Sequence, residues 1–424
     1  MDDKAVAALI EAEEKRQREG LELIPSENYV SKDVLVAMGS IFTNKYSEGF
    51  PGKRYYGGQH NTDKVEQLAI DRAKSLFGAD HANVQSHSGA PANEAVYHAW
   101  CEPGDTIMGM ELSHGGHLTH GRPGTVSAKL FNFVRYGIKD VETGEIDYDE
   151  MMKVAKKTKP KIILAGFSSY PRELNYDKFA EIGREVGAML MADMAHIAGL
   201  IAGKALKNPF DSGFHVITTT THKTLRGPRG ALILSRGAVS NPLKPVDKKI
   251  ENLPTLIDRS VFPGIQGGPH MHMIAAKAVA FGEAQKPEFK VYCQQILKNA
   301  KKLADEMMKR GFKLVTNGTD NHLILADVKT SFNLDGNEVE TVLDEIGLTL
   351  NKNVIPDDPL PPFRPSGIRL GTPAITTRGL KEKDMAQVAE WMLQAIKART
   401  DSKKLKTLNS QVKEFCLQFP LPSD

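Results

Sequence analysis

The sequence is poor in the features that mark disulfide-stabilised or nucleic-acid-binding proteins. It has only 3 cysteines and 2 tryptophans in 424 residues, and its net charge at pH 7 is only +3. A charge so close to zero gives no indication of nucleic-acid binding. The cysteines, at positions 101, 293 and 416, show no spacing typical of a disulfide framework or a metal site, so a cytoplasmic protein is expected.

Long apolar runs and a targeting segment are also missing. No apolar stretch reaches the roughly 18 residues that a membrane span needs, so no membrane association is expected. Residues 1–4 do not start a basic region followed by an apolar one, so no signal peptide is expected. With 41% hydrophobic and 25% charged residues, the composition is that of a globular protein whose length allows two or three domains.

What the sequence does contain is an unusual lysine at the end of an apolar strand. Residues 216–221 are six consecutive β-branched residues, which predict a buried strand, and His222 and Lys223 follow directly. Burying an ammonium without a partner is costly, so the position suits a lysine that loses its proton to form a Schiff base. A surface lysine that ends a strand is the alternative, and for a lone lysine it is the commoner case.

A second apolar strand, residues 188–193, ends at an aspartate, Asp193. Enzymes that use pyridoxal 5′-phosphate (PLP) need a lysine and also a carboxylate that keeps the pyridine nitrogen protonated. Asp193 lies 30 positions before Lys223, about one strand–crossover–strand step. Both residues are therefore expected at the carboxyl ends of strands in one sheet, where such sheets bind ligands. Taken alone, Asp193 is better explained as a helix N-cap.

A third segment predicts a turn that can bind a phosphate group. Residues 84–87 indicate a short strand that runs into Ser88, Gly89 and Ala90, and a helix is expected to continue to Trp100. Small residues at a helix start let a phosphate approach the exposed N–H groups. An ordinary strand-to-helix turn is equally compatible. The P-loop and the G-x-G-x-x-G dinucleotide motif are both missing.

Three histidines, His114, His117 and His120, lie at intervals of three in a glycine-rich stretch. A zinc-binding helix usually spaces its histidines by four with a carboxylate nearby, and paired glycines disfavour a helix. We therefore expect no metal. An aromatic ring stacked over a planar cofactor is a better explanation, and structural roles remain open for His114 and His120.

In chain order, these segments resemble the serine hydroxymethyltransferase family. The resemblance extends from about Leu21 to Gly379, and its most specific part is the lysine strand followed by residues 224–229. Any one segment is moderate evidence, whereas all of them in family order are strong evidence. The segments that carry it are 23–28, 46–49, 51–58, 218–229, 266–269 and 366–373.

The resemblance implies a PLP-dependent transferase of fold type I, the aspartate-aminotransferase-like α/β fold. This fold has a large domain with a mostly parallel mixed sheet and a smaller α+β C-terminal domain. We expect an N-terminal arm at 1–44, the large PLP-binding domain at 45–275 and the small domain at 276–424. The hydrophobic pattern predicts strands at 82–86, 106–110, 161–166, 188–193, 215–221, 230–235 and 322–328. It predicts helices at 4–18, from about 272, at 289–308 and at 384–398.

The resemblance also implies a reaction. Members of the family interconvert L-serine and tetrahydrofolate with glycine and 5,10-methylenetetrahydrofolate in one-carbon metabolism, with PLP as cofactor and tetrahydrofolate as cosubstrate. A homodimer with active sites shared between subunits is implied as well. A threonine-aldolase-like PLP lyase without folate, and more distantly a non-catalytic binding protein on the same fold, remain alternatives. A methanopterin-type carrier is an alternative to folate.

Matching positions imply the roles of single residues. Lys223 is expected to form the Schiff base and Asp193 to bind the ring nitrogen. Glu48, His117 and Thr220 complete the residues expected in catalysis. The other cofactor contacts are expected from Ser88, Gly89, Ala90, His117, Ser168, His196 and His222, and from Tyr46, Gly267 and Gly268 of a second subunit.

The substrates have their own expected contacts. A planar guanidinium binds a carboxylate with two hydrogen bonds, which suits Arg369, although a surface salt bridge is the usual state of an arginine. If the active site closes and partly excludes water around Glu48, this carboxylate is suited to carry a proton. The alternative is a solvated glutamate in a loop, without a catalytic role. Serine contacts are expected from Ser26, Glu48, Tyr56 and Arg369. Folate contacts are expected from Tyr55, Leu112, Gly115, Gly116, Leu118 and Asn353.

The chain departs from the family pattern in three places. Residues 59–63 lack an acidic–aromatic step that is common in the family. Ser169 replaces a common alanine, and His270 stands where an apolar residue is usual. The first of these departures concerns the expected subunit contact and the folate pocket rather than the PLP chemistry.

Overall fold

Strands and helices alternate along most of the chain. The computed structural model describes residues 1–236 and 253–424. The strands are β1 Leu21–Glu22, β2 Gly49–Phe50, β3 Lys53–Arg54, β4 His81–Asn83, β5 Thr106–Met110, β6 Asn132–Tyr136, β7 Ile138–Asp140, β8 Glu145–Ile146, β9 Ile162–Gly166, β10 Met189–Asp193, β11 Val216–Thr220, β12 Ala231–Ser235, β13 Lys313–Leu314, β14 Leu323–Asp327, β15 Leu348–Thr349, β16 Asn351–Asn353 and β17 Gly367–Gly371.

The α-helices include every helix that the hydrophobic pattern predicts. They are α1 Lys4–Glu19, α2 Lys32–Met38, α3 His60–Phe77, α4 Gly89–Trp100, α5 Val126–Leu130, α6 Tyr148–Thr158, α7 Tyr176–Val186, α8 Ala198–Ala202, α9 Leu253–Arg259, α10 Met271–Ala284, α11 Pro287–Lys309, α12 Val328–Phe332, α13 Gly336–Glu345, α14 Pro373–Thr377, α15 Glu382–Lys397 and α16 Ser402–Cys416. None of those lying in the described ranges is long and apolar enough to cross a lipid bilayer.

The chain divides into two compact units. The large unit comprises Val30–Asp140 and Glu145–Gln294, and the small unit comprises Met1–Tyr29, Val141–Gly144 and Gln295–Asp424. Residues 276–294 therefore group with the large unit and residues 1–29 with the small one.

The large unit contains a seven-stranded sheet in the order β4-β12-β11-β10-β9-β5-β6. The neighbours from β11 to β6 pair in parallel, and β12 pairs antiparallel with both β11 and β4. This mostly parallel mixed sheet confirms the predicted fold class. The six strands predicted for this region are present, although β4 ends at Asn83 instead of residue 86, and β6 was not among them.

Runs of apolar and β-branched residues explain the central strands. All five residues in each of β9, β10, β11 and β12 are buried, as expected for strands that are covered on both faces. The apolar side of α4, with Val96 and Tyr97, packs in one core with Leu164, Met191 and Ile233 from the sheet. Burying each large apolar side chain contributes about 1.5–3 kcal/mol, so this core holds the strand ends in place.

The small unit contains an antiparallel sheet in the order β13-β14-β17-β16. The predicted strand at 322–328 is confirmed as β14, and the helix predicted at 384–398 is α15. Apolar residues of α13, α15 and α16 join those of the sheet in a second core, which includes Leu343, Trp391 and Leu408.

Candidate active site

Asp193 and Lys223 lie after neighbouring parallel strands. Asp193 is the last residue of β10 and pairs in register with Thr218 of β11. Lys223 follows the end of β11 by three residues and is only 9% exposed. Both residues therefore lie at the carboxyl edge of the sheet, where open α/β sheets bind ligands. Because Lys223 is buried, it is not the surface lysine at a strand end that was the alternative interpretation.

The Asp193 carboxylate accepts three hydrogen bonds. Its Oδ2 accepts from Asn93 Nδ2 at 2.8 Å and from His120 Nε2 at 3.1 Å, and its Oδ1 accepts from the N–H of Ala195 at 3.1 Å. His120 Nδ1 accepts the backbone N–H of His117, so the hydrogen that the ring donates to Asp193 is on Nε2. Asp193 is not a helix N-cap, because the next helix, α8, has its N-cap at Ile197.

These contacts keep Asp193 ionised. Burial by itself raises the pKa of the carboxyl group, but the hydrogen bond from His120, the favourable electrostatics of His120 and His117, and the amide of Asn93 outweigh it. The resulting pKa lies well below the usual range of an aspartate. A dry, ionised carboxylate is what a protonated pyridine nitrogen requires as its partner.

His117, His120 and Asp193 also lie close enough to be considered as a metal site. One possible ligand atom from each lies within 4.8 Å of the others. The hydrogen bonds disfavour this reading, because the two nitrogens of His120 already bind the His117 N–H and Asp193. His117 Nδ1 lies 2.7 Å from Thr119 Oγ1. A metal ion would need an unprotonated nitrogen from each ring, and this network does not leave one on His120.

Asn93 connects the hydrogen-bond network of Asp193 to the rest of the sheet. The sequence had predicted no role for it. It is buried, and its Nδ2 donates to Thr119 Oγ1 at 2.9 Å as well as to Asp193, while its Oδ1 accepts from Thr218 Oγ1 at 2.6 Å. Asn93 thereby connects α4 to both central strands. The signal in the sequence was a lone amide among apolar residues, one helical turn after the small-residue turn.

Replacing Asn93 with alanine is expected to weaken both the fold and the cofactor site. The change leaves the Asp193 carboxylate and the Thr218 hydroxyl each short of one partner, and a stranded buried polar group costs about 1–3 kcal/mol. Urea unfolding measures the loss of stability, and titration of the apoprotein with PLP measures the loss of cofactor affinity.

Asn299→Ala is the matched control for this variant. Asn299 is also a buried helical asparagine, and its Nδ2 donates to Thr376 Oγ1 and to the carbonyl of Leu380 in the small unit. Both variants should lose stability, but only Asn93→Ala should lose affinity for PLP. Equal PLP affinities in the two variants would show that the Asp193 network does not serve the cofactor.

The small-residue turn has the geometry of a phosphate cradle. Helix α4 begins at Gly89 with Ser88 as its N-cap, and the Ser88 side chain makes no capping hydrogen bond. A Cβ at Gly89 would lie 2.9 Å from Thr220 Cγ2, so the turn packs closely against the lysine strand. His222 Nδ1 is buried and has no hydrogen-bond partner among the described residues. A helix N-terminus beside a buried, unsatisfied ring nitrogen fits a phosphate group.

His222 is held in the neutral form. Burial, together with the positive charges of Lys223 and Arg229, lowers its pKa to about 3, and a hydrogen bond to the backbone of Gly230 opposes this shift only in part. With its one hydrogen on Nδ1, the neutral ring would donate a hydrogen bond to an anion without bringing its own charge into the buried turn.

The histidine stretch packs against the segment that contains Ser168. The Gly115 carbonyl accepts from the Ser168 N–H at 2.7 Å, and a Cβ at Gly115 would lie 3.0 Å from the backbone nitrogen of Tyr170. His196 is connected to the turn that carries His222 and Lys223, because its carbonyl accepts from Thr224 Oγ1 at 2.9 Å. The predicted ring contacts thus come from segments that pack on one another in the large unit.

A second cluster of predicted residues surrounds Glu48. Tyr46 and Tyr56 donate their hydroxyls to its two carboxylate oxygens at 3.2 and 3.3 Å. A Cβ at Gly267 would lie 3.3 Å from Glu48 Oε1, and one at Gly268 would lie 3.0 Å from the ring of Tyr46. The charge of Glu48 raises the pKa of Tyr56, with smaller contributions from burial and Tyr46. Both tyrosines are exposed, so one face of this cluster is open.

Arg369 lies on β17 in the small unit. Its Nε donates to Asn351 Oδ1 at 3.1 Å, and the two residues are paired in register across β16 and β17. Burial lowers the pKa of Arg369 to about 10, which still leaves the guanidinium charged at neutral pH. The segment with Ser26 runs beside this strand, because a Cβ at Gly371 would lie 2.7 Å from Pro25 Cβ.

The residues predicted to face folate are divided between the units. In the large unit, Tyr55 and Leu118 are 74% and 52% exposed, whereas Gly116 is closely packed, since a Cβ there would lie 2.4 Å from the carbonyl of Met110. Leu112 donates its backbone N–H to the Glu111 side chain. Asn353 ends β16 in the small unit.

All three departures from the family pattern make specific contacts in the structure. Gln59 donates from Nε2 to the carbonyl of Tyr46 at 2.9 Å and accepts from the Thr62 hydroxyl. It therefore fixes the backbone of one residue of the Glu48 cluster. His270 stacks on His87, with ring centroids 4.1 Å apart. Ser169 is buried and donates its backbone N–H to the Gly115 carbonyl.

The carboxyl edge of this mostly parallel sheet brings together a buried lysine, an ionised aspartate and a small-residue helix start. This arrangement defines a PLP-dependent enzyme of fold type I. The chain belongs to the serine hydroxymethyltransferase family, whose sequence model matches residues 1–392 of the 424. The family is that of PLP-dependent glycine hydroxymethyltransferases, which use tetrahydrofolate as cosubstrate, and membership supports this activity for the chain.

Proposed function

We propose that the serine hydroxymethyltransferase reaction takes place in this chain around Lys223 and Asp193. The observation that carries the proposal is the position of both residues at one sheet edge, with Asp193 buried and ionised by the Asn93–His120 network. The reaction transfers the hydroxymethyl carbon of L-serine to tetrahydrofolate and releases glycine and water.

Bound PLP supplies an electron sink for the negative charge left on Cα when the Cα–Cβ bond of serine breaks. Lys223 would attach the cofactor, and Asp193 would keep its ring nitrogen protonated. His117 would lie against the ring, and Ser168 and His196 would contact its hydroxyl. Ser88, Gly89, Ala90 and His222 would hold the phosphate, with Thr220 packed behind Gly89.

The remaining residues would bind and orient the substrates. Arg369, assisted by Ser26, would bind the carboxylate of serine through its planar guanidinium. Glu48 would move protons around the hydroxymethyl group, since its two oxygens are already oriented by Tyr46 and Tyr56. Folate would contact Tyr55, Leu112, Gly115, Gly116, Leu118 and Asn353.

The deciding experiment is turnover of L-serine to glycine with and without tetrahydrofolate. Glycine should form rapidly only when tetrahydrofolate is present, with 5,10-methylenetetrahydrofolate in equal amount. Equal rates without any carrier would favour a threonine-aldolase-like lyase, which L-threonine as a second substrate would confirm. Tetrahydromethanopterin in place of tetrahydrofolate tests the alternative carrier. A protein that binds PLP but turns over none of these would be a binding protein.

We further propose a symmetric homodimer in which each site takes Tyr46, Glu48, Tyr55, Tyr56, Gly267 and Gly268 from the partner. The exposure of Tyr46, Tyr55 and Tyr56 supports this, because large aromatic side chains on a surface are typical of subunit contacts. A cytoplasmic location belongs to the same proposal and is supported by the three buried cysteines, none of which forms a disulfide.

Mixing two inactive variants is expected to restore activity if the sites are shared. Lys223→Ala and Glu48→Ala should each be nearly inactive alone. After joint unfolding and refolding, half of the dimers contain one chain of each kind, and each of these has one intact site, so about a quarter of all sites should recover. Serine turnover measures the recovery, and differential tagging of the two variants measures the mixed dimers.

Lys223→Ala mixed with Asp193→Asn is the control, because both residues lie at the same sheet edge of one chain. That mixture should stay inactive, since every site in every dimer keeps one lesion. Failure of the Glu48→Ala mixture to recover, with mixed dimers demonstrated, would refute the shared site and leave the PLP assignment untouched.

A further inference from the structure

A second buried lysine, Lys277, lies in the middle of α10 in the large unit. Its side chain is fully enclosed, with 2% of the residue exposed. Its Nζ donates to three backbone carbonyls, those of Val84 at 2.7 Å, Ser86 at 3.1 Å and Ala231 at 2.8 Å. None of the expected roles in the reaction involves this residue.

The geometry around Lys277 indicates an ammonium group. Three N–H donors match three carbonyl acceptors, whereas a neutral amine would turn its lone pair toward one of the carbonyls. Burial lowers the pKa of Lys277 to about 7, and the negative charge of Glu66 opposes this shift. Glu66 is itself hydrogen-bonded to Arg54 at 2.6 Å and to Gln85 at 2.7 Å, so its charge is already largely balanced.

The three carbonyls belong to the two backbone segments that approach the phosphate cradle. The pairing of β4 with β12 ends at Asn83, and Val84 and Ser86 lie in the irregular stretch that leads to Ser88. Ala231 begins β12 and follows the turn that carries His222 and Lys223. Beyond that ladder the Ala231 N–H donates to the Ser86 carbonyl at 3.1 Å, and Lys277 adds its hydrogen bonds to the same pair of segments.

Lys277 packs closely against the turn that carries His222 and Lys223. A Cβ at Gly230 would lie 2.5 Å from Lys277 Cε and 3.1 Å from its Nζ. The Gly230 carbonyl accepts the N–H of Thr221, which precedes His222. A displacement of the ammonium would therefore be transmitted to both sides of the cradle.

We propose that Lys277 is a positioning residue for the phosphate group of the cofactor. It holds the segments at 84–88 and 221–231 at the separation that the phosphate requires, and its buried positive charge favours a dianion in the adjacent turn. A buried charge without its own carboxylate partner is costly, and an anion bound nearby offsets that cost. The inference rests on the proposed placement of the phosphate at Ser88, Gly89, Ala90 and His222.

The test compares two ligands that differ only in the phosphate. Pyridoxine 5′-phosphate and pyridoxine have no aldehyde, so neither can bond to Lys223, and their dissociation constants for the apoprotein can be measured by calorimetry. Lys277→Met should weaken binding of pyridoxine 5′-phosphate by about tenfold or more, because both the fixed geometry and the charge are lost. Affinity for pyridoxine should change by less than about threefold.

Two further variants keep the test informative if Lys277→Met does not fold. Lys277→Gln retains two N–H donors without the charge, so it should recover part of the phosphate-dependent affinity. Gly230→Ala leaves Lys277 in the chain but displaces its ammonium, so it should show the same phosphate-specific loss. Lys204→Met is the matched control, because Lys204 donates to the carbonyl of Leu76 but is exposed, and its removal should change neither affinity.

The outcomes separate this inference from the placement on which it rests. Ser88→Ala and His222→Leu should also lose phosphate-dependent affinity. If these two variants do so but the Lys277 and Gly230 variants keep the wild-type ratio of the two dissociation constants, Lys277 has only a structural role and the proposal is overturned. If Ser88→Ala and His222→Leu also keep that ratio, the placement of the phosphate itself is wrong.

Discussion

Replacing Lys223 with alanine is expected to abolish turnover of serine while the protein stays folded. Removal of the nucleophile from a catalytic unit removes most of the rate enhancement. Residual activity should therefore lie at the background of the assay. The fold should be kept, because the strands on either side of Lys223, β11 and β12, are held by their own buried residues. Serine turnover and the visible absorption of the cofactor are the measurements.

Covalent labelling locates the lysine directly. Borohydride reduction of the wild-type protein with PLP should attach the cofactor permanently to the peptide that contains Lys223. Lys277 serves as an internal control, because it is also buried but its Nζ already binds three carbonyls. Lys223→Arg, which keeps the charge, should also be inactive. Label on another lysine, or a normal visible band in Lys223→Ala, would overturn the assignment.

Replacing Arg369 with alanine is expected to weaken serine binding by roughly 2–5 kcal/mol, the cost of stranding one partner of a desolvated charge pair. Arg369→Lys should also bind poorly, since one ammonium cannot reproduce two parallel N–H donors. The dissociation constant of serine, followed through the spectrum of the PLP-loaded protein, measures the effect. Cofactor affinity should not change, because the expected cofactor contacts do not include Arg369.

Arg364→Ala is the matched control in the same unit. The Arg364 side chain is 61% exposed and pairs with Asp335 at 2.6 Å. Because the charge of Arg364 is exposed to solvent and already paired with Asp335, its loss should leave serine affinity at the wild-type value. Unchanged serine affinity in Arg369→Ala, or an equal loss in Arg364→Ala, would contradict the role given to Arg369.

The sequence by itself determined the fold class and the two residues around which the chemistry is proposed. The runs that became β9, β10 and β12 are apolar almost throughout, and β11 consists of β-branched residues; such runs are typical of strands covered on both faces. Each residue alone has a commoner structural explanation, but Asp193 and Lys223 could be singled out together because they follow two buried strands that lie one strand–crossover–strand step apart. These signals are local, so they can be read from a single chain.

The tertiary structure alone decided how Asp193 is kept ionised. Asn93, His120 and Asp193 come from three separate segments, and their hydrogen bonds span 73 and 100 positions in the sequence. No local pattern specifies which distant donor will reach a buried carboxylate. Asn93 by itself indicates only an amide in an apolar helix, and His120 only a histidine in a turn.

The same holds for Lys277 and for the end of β4. Residues 84–86 have the composition of a strand, and the sequence predicts one, but the ladder ends at Asn83 and Lys277 binds the carbonyls that follow. These contacts join positions 191 to 193 apart in the chain. Apolar periodicity reports which face of a segment is buried, whereas the partner of a buried polar group depends on how distant segments pack, and only the folded chain decides that.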